Sequence, residues 1–94
     1  MEQRPESVSP AVLITRAAVI HQIEACLAGA LSDKALAAWA FDRFYAEELG
    51  AEQYEAGAAE TISEVLDTLM FGDTPSFRLD QEALRELIAQ LQAV

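Results

Sequence analysis

Between positions 58 and 70, apolar residues recur as Ala58, Ile62, Val65, Leu66, Leu69 and Met70. This is the i, i+4, i+7, i+8, i+11, i+12 spacing of one buried helical face. It predicts a helix over about 53–71, stopped by Gly72. A second stripe, Val19, Ile20, Ile23, Cys26 and Leu27, predicts a helix over 16–28. Thr15 is its N-cap, and Gly29 takes the left-handed position after its end. Upstream of it, Val12, Leu13 and Ile14 either extend this helix or fold over the bundle, and the residues leave both open. Ser32 followed by Asp33 starts another helix, running to about Leu49 before Gly50. Its apolar positions, Leu36, Trp39, Phe41, Phe44, Tyr45 and Leu49, spread around most of the circumference, which predicts a helix central to the core. Asp80 caps a last helix over 81–93, with Leu79 and Leu84 spaced as a hydrophobic staple.

No alternating period-two run is present, so the pattern predicts an all-α fold. The expected architecture is a compact four-helix, mostly antiparallel bundle with short loops over residues 11–94, behind a flexible lead-in over 1–10. Ninety-four residues make a single domain with a modest core. The lone Cys26 excludes an intrachain disulfide framework and reads as a buried, inert thiol. No stretch approaches the ~20 apolar residues of a membrane span, and the first ten residues are too polar for a secretory signal. The expected location is the cytoplasm, with no membrane contact.

Charge changes the picture most. Sixteen Asp and Glu stand against six Lys and Arg, a net charge of −10. Between Arg43 and Arg78 lie Glu47, Glu48, Glu52, Glu55, Glu60, Glu64, Asp67 and Asp73, with no Lys or Arg among them. A single-sign stretch attracts basic partners and repels nucleic acid and anionic lipid. Glu60, Glu64 and Asp67 fall within about a 60° strip of their helix, opposite Ile62, Val65 and Leu69. Like charges at this spacing destabilise a helix by about 0.2–0.5 kcal/mol per pair. The strip is either an ordinary solvated face or a recognition face for a cationic partner. Around the preceding turn, Glu48, Glu52 and Glu55 flank Tyr54, an aromatic ringed by acids, which suits either an interface anchor or a cap on the bundle end. The candidate partner-binding residues are therefore Glu48, Glu52, Tyr54, Glu55, Glu60, Glu64 and Asp67.

Other chemistry is thinly represented. A carboxylate-bridged metal site in a bundle needs two Glu-x-x-His motifs, whereas this chain has one histidine, in the reversed pair His21-x-x-Glu24. There is no Gly-rich phosphate loop, nucleophile elbow or calcium loop. The six basic residues are too scattered to track a phosphate backbone. The expectation is a non-enzymatic protein with no cofactor, no metal and no nucleic-acid ligand.

Two segments carry a family resemblance. One is Leu27-Ala28-Gly29-Ala30-Leu31-Ser32 leading into Lys34–Phe44, a glycine-bearing turn followed by a Leu-Ser helix start. The other is the Leu-rich run Val65–Met70, then Asp73, then Arg78-Leu79-Asp80-Gln81-Glu82-Ala83-Leu84-Arg85. Across about residues 19–92 this layout resembles small acidic bacterial immunity proteins of the colicin D type. The aromatic segment 38–45 has no counterpart there, and the Asp-Tyr-Pro signature of the DNase-immunity branch is absent. The resemblance implies a helical protein whose acidic groups stand in for phosphates and occlude the basic, RNA-binding cleft of a toxin. By charge, that role falls on Glu60, Glu64 and Asp67, supported by the turn before them. The alternative is a small structural or regulatory subunit that self-associates through its aromatic helix, and the expected state of the chain is monomer or homodimer.

Overall fold

A computed structural model describes residues 12–72, 74 and 78–94. Among them the chain forms, in order, β1 (Val12–Ile14), α1 (Arg16–Leu27), α2 (Asp33–Glu48), β2 (Glu52–Tyr54), α3 (Ala59–Met70) and α4 (Gln81–Gln92). The lead-in over 1–10, Asp73 and Pro75 lie outside the described residues.

Three helices start where a short polar side chain can satisfy an orphan amide. The Thr15 hydroxyl accepts from the Ala18 N–H at 3.0 Å, Ser32 from Ala35 at 3.0 Å, and Asp80 from Ala83 at 2.8 Å. The first two helices also end alike. The Gly29 and Ala30 amides donate back to the Cys26 and Ala25 carbonyls, and the Gly50 and Ala51 amides to Glu47 and Ala46. That paired return is the Schellman motif, which closes the free carbonyls of the last turn.

The expected all-α architecture needs one correction. Four helices are present, but so is a two-stranded parallel sheet, with Val12 opposite Glu52, Leu13 opposite Gln53 and Ile14 opposite Tyr54. Residues 12–14 therefore neither extend α1 nor merely drape over the helices. The pairing is prolonged by the Glu55 amide donating to the Ile14 carbonyl at 2.9 Å. The same sheet shortens the third helix. Residues 53–58, expected to begin it, instead form a strand and a turn in which Gly57 sits at φ 84°. This left-handed conformation is strained for a residue with a Cβ, so the helix cannot propagate back through it.

The core gathers Ile14, Val19, Ile23, Leu36, Ala40, Ile62, Val65, Leu66, Leu69, Leu84 and Leu91. α2 packs most extensively on α3, and α1 on α4. The fully buried side chains of α3 make it, and not α2 as expected, the central helix. α2 is less central than expected. It buries Leu36, Ala37 and Ala40 and half-buries Trp39 and Phe44, while Phe41, Tyr45 and Leu49 are 51%, 43% and 83% exposed. Leu79 packs half-buried against the core.

Candidate functional site

The acidic residues of the middle of the chain divide into two groups. Glu52 and Glu55 belong to the scaffold. Glu52, on β2, is 9% exposed, and its Oε2 lies 2.6 Å from Nη1 of Arg43 on α2. The remaining Oε1 of Glu52 and Nε of Arg43 are buried without a hydrogen-bond partner. The pair thus meets through one contact only and leaves both groups partly unsatisfied, a costly arrangement in a low-dielectric interior.

Glu55 sits at the start of α1. Its carboxylate accepts from the Arg16 backbone N–H at 2.9 Å, from Nε at 3.2 Å and from Nη2 at 2.8 Å. Nη1 of the same guanidinium donates to the Val94 carbonyl, tying the C-terminus to the start of α1. A carboxylate at a helix N-terminus meets both free amides and the positive dipole end. The hydrogen bonds from Arg16 hold the Glu55 carboxyl below the usual glutamate range, and the same contact raises the Arg16 guanidinium above its ordinary value. The single-sign stretch is thus partly cancelled by arginines that precede it in sequence.

The second group is free of such partners. Glu60, Glu64 and Asp67 are all exposed along the outer side of α3, and among the described residues none forms an ion pair. Arg78 lines the same shallow recess as Asp67, with Phe71 and Leu79, but its ion-pair partner is Asp33 at 3.6 Å. Glu47 and Glu48, at the end of α2, lie close enough to Tyr54 to act on its hydroxyl. Burial chiefly raises the Tyr54 phenol above its ordinary value, the two carboxylates add to this, and a hydrogen bond with Ser63 opposes it. Ser63 lies one turn from both Glu60 and Asp67 on α3. Tyr54, on β2, thus lies between α2 and α3. It is half-buried against the core, an arrangement closer to a cap with one polar edge than to a projecting anchor.

Of the seven candidate residues, Glu60, Glu64 and Asp67 line one exposed strip, while Tyr54 is half-buried on β2 and Glu48 is exposed at the end of α2 near it. Glu52 and Glu55 are committed to arginines. Asp73 lies outside the described residues.

The other sites of chemical interest hold little. Cys26 is half-buried, and its thiol donates to Asp33 Oδ1 at 3.3 Å. Burial first, and that carboxylate second, push the thiol above its ordinary value, which suppresses the reactive thiolate. Among the described residues, no three His, Cys, Asp or Glu side chains are placed to hold a metal ion. Nor is any helix there long and apolar enough to cross a membrane.

Sequence reasoning missed one surface. Lys34, Ala38, Phe41, Tyr45 and Glu48 are all exposed along α2, at successive steps of four, three, four and three residues. The Phe41 and Tyr45 ring centroids are 4.6 Å apart, and Phe44 meets Tyr45 edge-on at 5.5 Å. That spacing is visible in the sequence, but there the aromatics read as core. No protein family, no curated protein and no solved structure matches this chain.

Proposed function

We propose that this chain is a non-enzymatic binding module of the immunity or antitoxin kind, acting in the cytoplasm on a basic protein partner such as a nuclease toxin domain. The observation that carries this reading is the exposure of Glu60, Glu64 and Asp67 without ion-pair partners among the described residues. Three carboxylates are spread over about 10 Å of one helix face. They repel one another by about 0.2–0.5 kcal/mol for each neighbouring pair. A cationic surface converts that repulsion into attraction and accelerates encounter. Carboxylates spaced along a helix offer a basic cleft what the phosphates of its nucleic-acid substrate would offer, and so block it by occupation. Glu47 and Glu48 extend the same sign of charge at the margin, beside the neutral polar edge of Tyr54. Glu52 and Glu55 hold the fold that presents the strip.

The test is co-expression with the product of the gene adjacent to its own. The expected result is a stable complex in which a nuclease activity of that product is suppressed. Replacing Glu60, Glu64 and Asp67 together by lysine should abolish suppression while leaving the circular-dichroism spectrum unchanged. Full suppression by the triple variant would remove the α3 strip from the mechanism.

A further inference from the structure

The outer side of α2 bears an apolar seam with a charge of opposite sign at each end. Lys34 lies in the first turn and Glu48 at the last residue, each seven residues from Phe41. Each is therefore about 10 Å from the seam centre along the helix axis. Both charges sit at the wrong end for their own helix: a cation near the N-terminus and an anion near the C-terminus are each disfavoured by the macrodipole. Nothing among the described residues pairs with either one.

We infer that this face is a self-recognition surface on which a second copy of the chain docks antiparallel, about a twofold axis near Phe41. In that arrangement Lys34 of each copy faces Glu48 of the other, so both misplaced charges gain a partner and the two helix dipoles oppose. A parallel arrangement would set lysine against lysine and glutamate against glutamate. Shape agrees with charge. Beside the small Ala38 lies a recess of about 280 Å³, lined also by Phe41 and Met70. Tyr45 of the second copy falls opposite Ala38, where an aromatic ring can enter that recess.

The net charge of −10 per copy opposes association. Screening confines this repulsion to about 8 Å at physiological ionic strength, so contacts at the seam decide the outcome. A single helix face offers less than the ~800 Å² per partner of a standard interface, which implies a weak, reversible dimer. The inference shares Glu48 with the margin of the proposed partner surface but requires neither the α3 strip nor a basic partner.

Sedimentation equilibrium from about 5 to about 500 μM tests it, a range that brackets micromolar dissociation constants. The chain itself should show a monomer–dimer equilibrium. Lys34→Glu and Glu48→Lys should each weaken dimerisation at least about tenfold, since each replaces two attractive contacts with two repulsive ones. The double variant restores opposite signs and should return to within about threefold of the parent. Misfolding is separable from lost association. Both substitutions are on exposed positions and place a charge that suits the helix dipole, so dilute samples should unfold at or above the parent temperature. A monomer throughout the range, a dimer indifferent to either single reversal, or a double variant as weak as the singles would each overturn the proposal.

Discussion

Replacing Arg43 by methionine strands the Glu52 carboxylate at a site where only 11% of its side chain reaches solvent. Deleting one partner of a fully buried ion pair costs about 3–5 kcal/mol, because the survivor stays charged without compensation. The residual exposure of Glu52 sets the expected loss for Arg43→Met nearer about 2–4 kcal/mol. The converse change, Glu52→Gln, should cost about 1–2 kcal/mol, since the Arg43 side chain is 31% exposed and can turn its charge to water. The double variant removes both charges and the unsatisfied Nε of Arg43, leaving a neutral buried amide at position 52, and should be more stable than Arg43→Met alone. Urea unfolding at neutral pH measures all four corners of this cycle. In thermal scans, each kcal/mol corresponds to about 4–8 °C for a domain of this size. If Arg43→Met destabilises no more than Glu52→Gln, or if the double variant is no more stable than Arg43→Met, the buried-carboxylate reasoning fails.

Ile62 is fully buried at the centre of α3, so Ile62→Ala should cost about 2–5 kcal/mol in urea unfolding; a loss below about 1 kcal/mol would place it outside the core. At Gly57 an added Cβ would meet nothing within 4 Å, so Gly57→Ala should report the φ of 84° alone, with a loss of about 1–2 kcal/mol by the same measurement. No loss there would mean that the turn does not require the left-handed conformation. The Glu55 carboxyl is held below its ordinary value, so its stabilising contribution is complete above the unfolded glutamate pKa of about 4.3 and disappears as pH falls through the lowered folded value. Glu55→Gln should therefore lose stability at neutral pH and show a flatter acid limb than the parent, and an unchanged acid limb would count against the Arg16 pairing.

The helices were legible because their signals are local. Thr15, Ser32 and Asp80 cap through amides three residues on, and the buried face of α3 is written at helical spacing within a dozen residues. The sheet was not. Its strands are three residues long and pair segments forty positions apart, and neither contains enough residues to show a period of two. Tyr54 and Gln53 read equally well as the start of a helix until Val12–Ile14 is brought beside them. The same nonlocality hid the ion pairs. Arg16 meets Glu55 across 39 residues, and Arg43 reaches Glu52 around the Gly50 turn. Charge counting located the acidic stretch but could not tell its scaffold carboxylates from its exposed ones. For α2, composition alone could not decide which aromatics turn inward. Trp39 and Phe44 do so in part, whereas Phe41 and Tyr45 do not.

The most direct measurement of the recognition claim is the association rate with the co-expressed basic partner as ionic strength is raised, for the parent and for the variant with Glu60, Glu64 and Asp67 changed to lysine. Electrostatic steering by the α3 strip predicts a parent rate that falls by about tenfold or more between low and high salt, and a variant that is slower at low salt and nearly indifferent to it. Equal rates with equal salt slopes for the two proteins would contradict the account.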